Sequence, residues 1–332
     1  MYLARQLFVP AFLTLLLLGV AAVCALPAPA PPAGPALLPG LAFALPETAL
    51  LQLEATFPLI TRIVMLLGVL RAGIAAGRIS VRSNLYGVNT CLSIPLFGIF
   101  VCCLAGRSLT LPLLLAVLLL AGAVKRYCES MRDGYSFDAL FRGSFLLGAL
   151  ALVRPAALPL LLILPFGTLL FQRTRRETVV ALAGLLFAPL LLCYLNWSFG
   201  GTFAAPVTAL WERFADGLPA ALFRAGFAPW MGIAAAVLLL DLFGAGSVWA
   251  NLYSVSARAR MLLLFNIGTL LLGIGVLAGP AARPADGLLL AVPSAVLLPF
   301  FLVRIRATLA SLLYLLLLAA AVLLLWLPFA WC

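Results

Sequence analysis

The 332-residue sequence contains no histidine. That absence removes zinc sites built on imidazole, Ser-His-Asp triads and histidine general bases. Charge is scarce too: 9% of residues are charged, against 65% hydrophobic. A soluble domain carries about 25% charged residues to cover its surface, so most of the outer surface here must face lipid. The seven cysteines (Cys24, Cys91, Cys102, Cys103, Cys128, Cys193, Cys332) show no C-x-x-C spacing. Most lie in apolar runs, where a thiol behaves as a small hydrophobe. No disulfide framework, metal site or cofactor follows from them.

The positive charge needs a different explanation from nucleic acid. The formal net charge is +11, carried by 21 Lys and Arg. They sit in short clusters between apolar runs, without aromatic interleaving, as in the cytoplasmic loops of membrane proteins. The expected partners are therefore membrane lipids.

About eleven spans can be read along the chain. Residues 1–25 carry Arg5 and a long apolar run, read as a retained first span rather than a cleaved signal peptide, and 26–46 form a Pro/Ala linker. Further spans are expected near 50–70, 85–105, 109–126, 138–153, 155–171, 176–196, 226–250, 261–279, 286–303 and 307–328. The pair 138–153 and 155–171 must form a tight hairpin, because only Arg154-Pro155 separates them. Thr174 and Glu177 have the spacing of a capping box. Asp138 and Arg142 are four apart and can pair on one helix face. The interval 197–225 contains a helix with Leu210, Phe214 and Leu218 on one side, either lying in the interface or packed on the bundle.

Charge tests this reading. With the N-terminus inside, fourteen Lys and Arg fall in cytoplasmic positions. Five, Arg107, Arg154, Arg213, Arg224 and Arg283, fall outside, while Arg62 and Arg142 lie within spans. The asymmetry follows the positive-inside rule. The fold expected is an all-helical, polytopic, single integral-membrane domain over 1–332, N-in and C-out, in the inner (plasma) membrane.

The outer face holds the candidate site. Arg154 lies at the hairpin tip, and Pro155 fits the first position of the next helix. Unpaired N–H groups and a forked cation would suit a phosphate; alternatively Arg154 snorkels at the helix end. Glu47 and Glu54 fall on the same side, where a carboxylate can deprotonate a hydroxyl. Otherwise Glu47 is a solvated loop residue, and Glu54 a polar contact toward Arg62, about 12 Å further along the helix. Arg62 and Asp241 are costly in a span and point to a partner or cavity. Arg62 and Arg224 join Arg154 as candidate substrate contacts. Asn89, Asn196, Asn251 and Asn266 read as interhelical hydrogen-bonding residues.

Two stretches carry a resemblance. A short span ending in LALVRPAALPLLLILPF, then a basic turn, then a span ending in YLNWSFGGTF, resembles the GT-C superfamily of membrane glycosyltransferases, over roughly 1–205. The remaining 206–332 would be C-terminal transmembrane helices. The stretch from Arg82 to Pro189, including RTRRETVVALAGLLFAP, is similar to a bacterial inner-membrane family of unknown function. The GT-C resemblance implies an outer-face active site fed by a polyprenyl-phosphate-linked sugar, with a catalytic acid in the first outer loop. Carried over, Glu47 or Glu54 would be the base and Arg154 the phosphate contact. The chain departs from the superfamily in having no aspartate in that loop. A transporter, with discontinuous spans in both halves, and a non-catalytic membrane scaffold are the rival readings.

Overall fold

The computed structural model describes residues 8–27, 46–83, 85–86, 88, 90–131, 134–215, 229–250, 256–279 and 281–326. Among these residues there is helix and no strand. In chain order the helices are α1 (Phe8–Cys24), α2 (Pro46–Thr56), α3 (Pro58–Arg82), α4 (Ser93–Leu104), α5 (Leu111–Ser130), α6 (Phe137–Val153), α7 (Ile163–Leu170), α8 (Arg175–Ser198), α9 (Ala205–Ala215), α10 (Pro229–Ala250), α11 (Ala257–Leu277), α12 (Ala291–Arg304) and α13 (Ala307–Trp326). Two of them are entered through longer 3₁₀ segments, Pro155–Leu162 before α7 and Pro284–Leu290 before α12.

Six segments are long and apolar enough to cross a membrane: α3, α5, α8, α11, Pro284–Arg304 and Ala307–Leu325. Shorter apolar helices stand at Phe8–Cys24, Ser93–Leu104, Pro155–Leu170 and Ala235–Ala250. The architecture is that expected of a helical membrane protein. The span expected at 50–70 is broken at Phe57 and Pro58 into α2 and α3, because proline is accommodated at a helix start and not in its interior.

The middle of the bundle is α4 and α12. Every residue of α4 is buried, as are Ala291 to Phe300 of α12. These two helices pack on one another, with α1, α3 and α13 around α4 and α10 and α11 against α12. Twelve residues of α helix span only about 18 Å, less than the roughly 30 Å of a hydrocarbon core. α4 is thus sheltered by protein rather than by lipid. α8 is the opposite case: Val179, Leu182, Leu186, Phe187 and Leu190 are all exposed, the pattern of a helix bathed in acyl chains.

The hairpin forms at its expected place. α6 runs to Val153, Arg154 is extended, and Pro155 opens the 3₁₀ segment. Pro159 inside that segment has no N–H to donate, which keeps the turn from settling into α geometry. α6 packs on both α5 and α8. Asp138 and Arg142 pair at 2.7 Å.

The start of α8 confirms the capping box. Thr174 accepts the Glu177 N–H, and Glu177 Oε2 accepts the Thr174 N–H at 3.0 Å. Glu177 Oε1 also accepts from Ser136 N–H and Arg173 at 3.2 Å. Arg173 donates in turn to Ser130 O and Gly134 O. This single carboxylate ties the starts of α6 and α8 to the end of α5. Thr174→Ala is expected to cost about 1 kcal/mol, and Glu177→Gln more, since several donors lose a charged acceptor. Thermal unfolding of the two solubilised variants checks that order.

Candidate functional site

Four segments converge at the Arg154 end of α6. Arg154 is 5% exposed and has a carboxylate on each side. Its Nη1 donates to Glu47 Oε1 at 2.6 Å, and its Nε donates to Asp286 Oδ1 at 2.6 Å. Asp286 Oδ2 accepts the backbone N–H of Arg283 at 2.7 Å, so the carboxylate caps its own 3₁₀ turn while holding a guanidinium. Glu47 is met from outside by two more arginines. Arg213 of α9 reaches Oε2 at 3.1 Å and Arg283 reaches Oε1 at 3.6 Å.

Local sequence explains each position. Glu47 follows Pro46 in the first turn of α2, where a carboxylate is favoured by the helix dipole. Arg154 is delivered where α6 must stop, because the next residue is proline. Asp286 lies in the first turn after Pro284, a capping position. The tripeptide Arg-Pro-Ala thus occurs twice, at 154–156 and 283–285, and each time it opens a 3₁₀ segment. The acid of the second unit binds the arginine of the first.

Among the described residues the cluster is cationic, with three guanidiniums to two carboxylates. Burial works against the charge on Arg154, but Asp286 and Glu47 more than reverse it, so its pKa lies above the ordinary arginine value. The other two arginines are open to solvent: the Arg213 and Arg283 side chains are 42% and 66% exposed. The inner part is a fixed, desolvated Glu–Arg–Asp chain, and the outer part is a pair of movable cations. Such an arrangement can accept an anion by exchanging Glu47 for a ligand oxygen at Arg213 and Arg283, leaving Arg154 in place.

The other candidate residues lie elsewhere. Glu54 is near the end of α2, where its Oε2 accepts the Leu111 N–H at 3.0 Å. Leu111 starts α5 with an orphan donor, so Glu54 caps that helix rather than reaching Arg62. Arg62 donates to Leu26 O and Pro27 O at 3.2 and 3.3 Å, closing the end of α1. Asp241 is wholly buried and accepts the Ser294 hydroxyl across the α10–α12 contact. Asn196 ends α8 by donating to Thr202 O at 2.7 Å, with Gly200 at φ +86° making the turn. Asn266 donates to Leu262 O one turn back along α11. Arg224, Asn89 and Asn251 fall outside the described residues.

The structure therefore unites Glu47 and Arg154 and separates both from Glu54 and Arg62. Sequence reasoning missed Asp286, Arg283 and Arg213 as members of the cluster. The repeated Arg-Pro-Ala was the one signal that could have found the first two. No family model, no curated protein and no solved structure matches this chain.

Proposed function

We propose that this is a multi-pass protein of a bacterial inner membrane that binds a phosphate-bearing lipid at its Arg154 end. In that reading it acts as a GT-C-like glycosyltransferase, moving a sugar from a polyprenyl-phosphate-linked donor to an acceptor hydroxyl. The observation that supports it is the meeting of Glu47 and Arg154 at 2.6 Å beside two solvent-facing arginines. About eleven crossings with the N-terminus inside put this end on the outer face, with the larger basic surplus at the opposite end of α6, some 25 Å away.

The chemistry follows from the exchange described above. Donor phosphate draws Arg213 and Arg283 off Glu47, which frees Oε2. Glu47 takes the proton of the acceptor hydroxyl, whose oxygen bonds to the anomeric carbon. The anomeric C–O bond to phosphate breaks, and its electron pair leaves with the polyprenyl phosphate. Arg213 and Arg283 hold that departing charge, while Arg154, braced by Asp286, keeps Glu47 aimed.

The test compares lipid-linked sugars and surface glycans in membranes from cells with and without the gene. Loss of the gene is expected to accumulate donor lipid, and the wild-type chain to restore the profile. Glu47→Gln is expected to reach the membrane in normal amount and to slow turnover by about 10² or more. Arg213→Ala with Arg283→Ala is expected to raise the donor concentration needed. Unchanged profiles with and without the gene would defeat the enzyme reading.

One observation favours transport as a second reading. The two Arg-Pro-Ala openings, from different halves of the chain, are joined by the Arg154–Asp286 pair, and paired discontinuous segments are a mark of transporters. Movement of a labelled phosphate-bearing solute into vesicles, without sugar transfer, would select that alternative.

A further inference from the structure

A second charged feature lies at the other end of the bundle. α3 and α5 leave a cleft of about 450 Å³ between them, closed on one side by Leu146 of α6. Its apolar length is lined by Gly68, Ala75, Leu118 and Gly122, with the exposed side chains of Val64 and Leu67 on its lip. Four cations also line it, Arg71 midway along and Arg78, Lys125 and Arg126 toward one end. Arg126, Arg78 and Arg71 all lie near enough to Lys125 to repel it.

Among the described residues the acid nearby does not balance this charge. Glu129 takes Arg126 at 3.1 Å, Arg82 at 3.3 Å and Lys125 at 3.7 Å. Among the described residues no carboxylate pairs with Arg71 or Arg78. Among the described residues, three cations thus share one carboxylate and two more, Arg71 and Arg78, have none, beside an apolar groove on a membrane-facing surface. A soluble anion would satisfy the cations and leave the groove unfilled. A neutral lipid would fill the groove and leave the cations in excess. An occupant with an anionic head and an acyl tail satisfies both, and the groove runs for about 20 Å from Val64 to Arg78.

We propose that the α3–α5 cleft is a binding site for an anionic phospholipid, with its phosphate among Arg71, Arg78, Lys125 and Arg126 and an acyl chain along Gly68, Ala75 and Gly122. The site is independent of the Glu47 cluster and does not rest on the enzyme reading.

The experiment measures retention of phosphatidylglycerol and phosphatidylcholine by the purified full chain, reconstituted in mixed bilayers and analysed by native mass spectrometry. The wild type is expected to retain the anionic lipid preferentially, by roughly fivefold for each cation engaged. Arg71→Gln with Lys125→Gln removes two cations and is expected to lower retention about 25-fold. Ala75→Phe fills the groove with every charge intact, and it too is expected to displace the lipid. Equal retention of the two lipids by the wild type overturns the proposal whatever the variants do. Complete displacement by inorganic phosphate also overturns it, because a free anion would then suffice.

Discussion

Arg154→Leu is expected to be among the most damaging single substitutions in the protein, at about 3–5 kcal/mol. The cost does not come from losing an attractive pair. Removing one guanidinium leaves the Asp286 side chain, 0% exposed, and the Glu47 side chain, 6% exposed, facing each other in a desolvated pocket. Arg154→Lys keeps a charge but loses the fork that reaches both acids, so an intermediate loss is expected. Glu47→Gln should cost less, because a neutral amide can still accept from Arg154. Replacing Glu47, Arg154 and Asp286 together by apolar residues of similar volume should recover most of the stability, since a fully apolar site carries no stranded charge. Unfolding of the solubilised variants by heat or denaturant gives the ranking. An Arg154→Leu protein as stable as the wild type would mean that water reaches these carboxylates, and the case for a built site would go with it.

Gly148→Ala and Gly184→Ala are expected to destabilise, although alanine is the better helix former by about 1 kcal/mol. α6 and α8 pack more extensively than any other pair of described elements. The contact is reciprocal. A Cβ at Gly148 would press on Leu185 O, and one at Gly184 would lie 2.5 Å from Phe141 O. Backbone cannot rotate aside as a side chain does, so the helices must separate. A net loss of about 1–3 kcal/mol per site is the expected outcome, with valine worse than alanine. Gly246 and Gly275 serve as controls. Nothing lies within 4 Å of a Cβ at either position, so alanine there should be neutral or mildly stabilising. Melting temperatures of the four variants separate helix propensity from close approach. The same packing locks the hairpin that carries Arg154, so Gly148 variants should also weaken the Arg154–Asp286 pairing.

Much of the local structure could be read from the sequence. The hairpin at 138–153 and 155–171, the Thr174–Glu177 cap and the Asp138–Arg142 pair all depend on neighbours within a few residues, and all appear. The Glu47–Arg154 pairing was legible only as two charges assigned to one side. Their direct contact, across 107 residues, leaves no periodic trace. Asp286 is 132 residues from Arg154 and read simply as the start of a span. Glu54 could be read only as a carboxylate in an apolar run, because its partner, the N–H that starts α5 at Leu111, lies 57 residues away. Spans were hard to count because hydropathy does not distinguish a helix in lipid from one sheltered by protein. α4 is apolar after Ser93 and too short to cross on its own.

The two Arg-Pro-Ala openings also set a timetable for biosynthesis. When the hairpin leaves the ribosome, Glu47 is already present, but Asp286 lies 132 residues downstream. At roughly 5–20 residues per second, the nascent chain must hold Arg154 with half of its eventual partners for something like ten seconds. During that interval the side of the guanidinium that Asp286 will take is open, dependent on water or another anion. The last third of the chain therefore completes a site begun in the first, and a ribosome stalled before Asp286 should leave a hairpin that proteases and insertion factors can still reach.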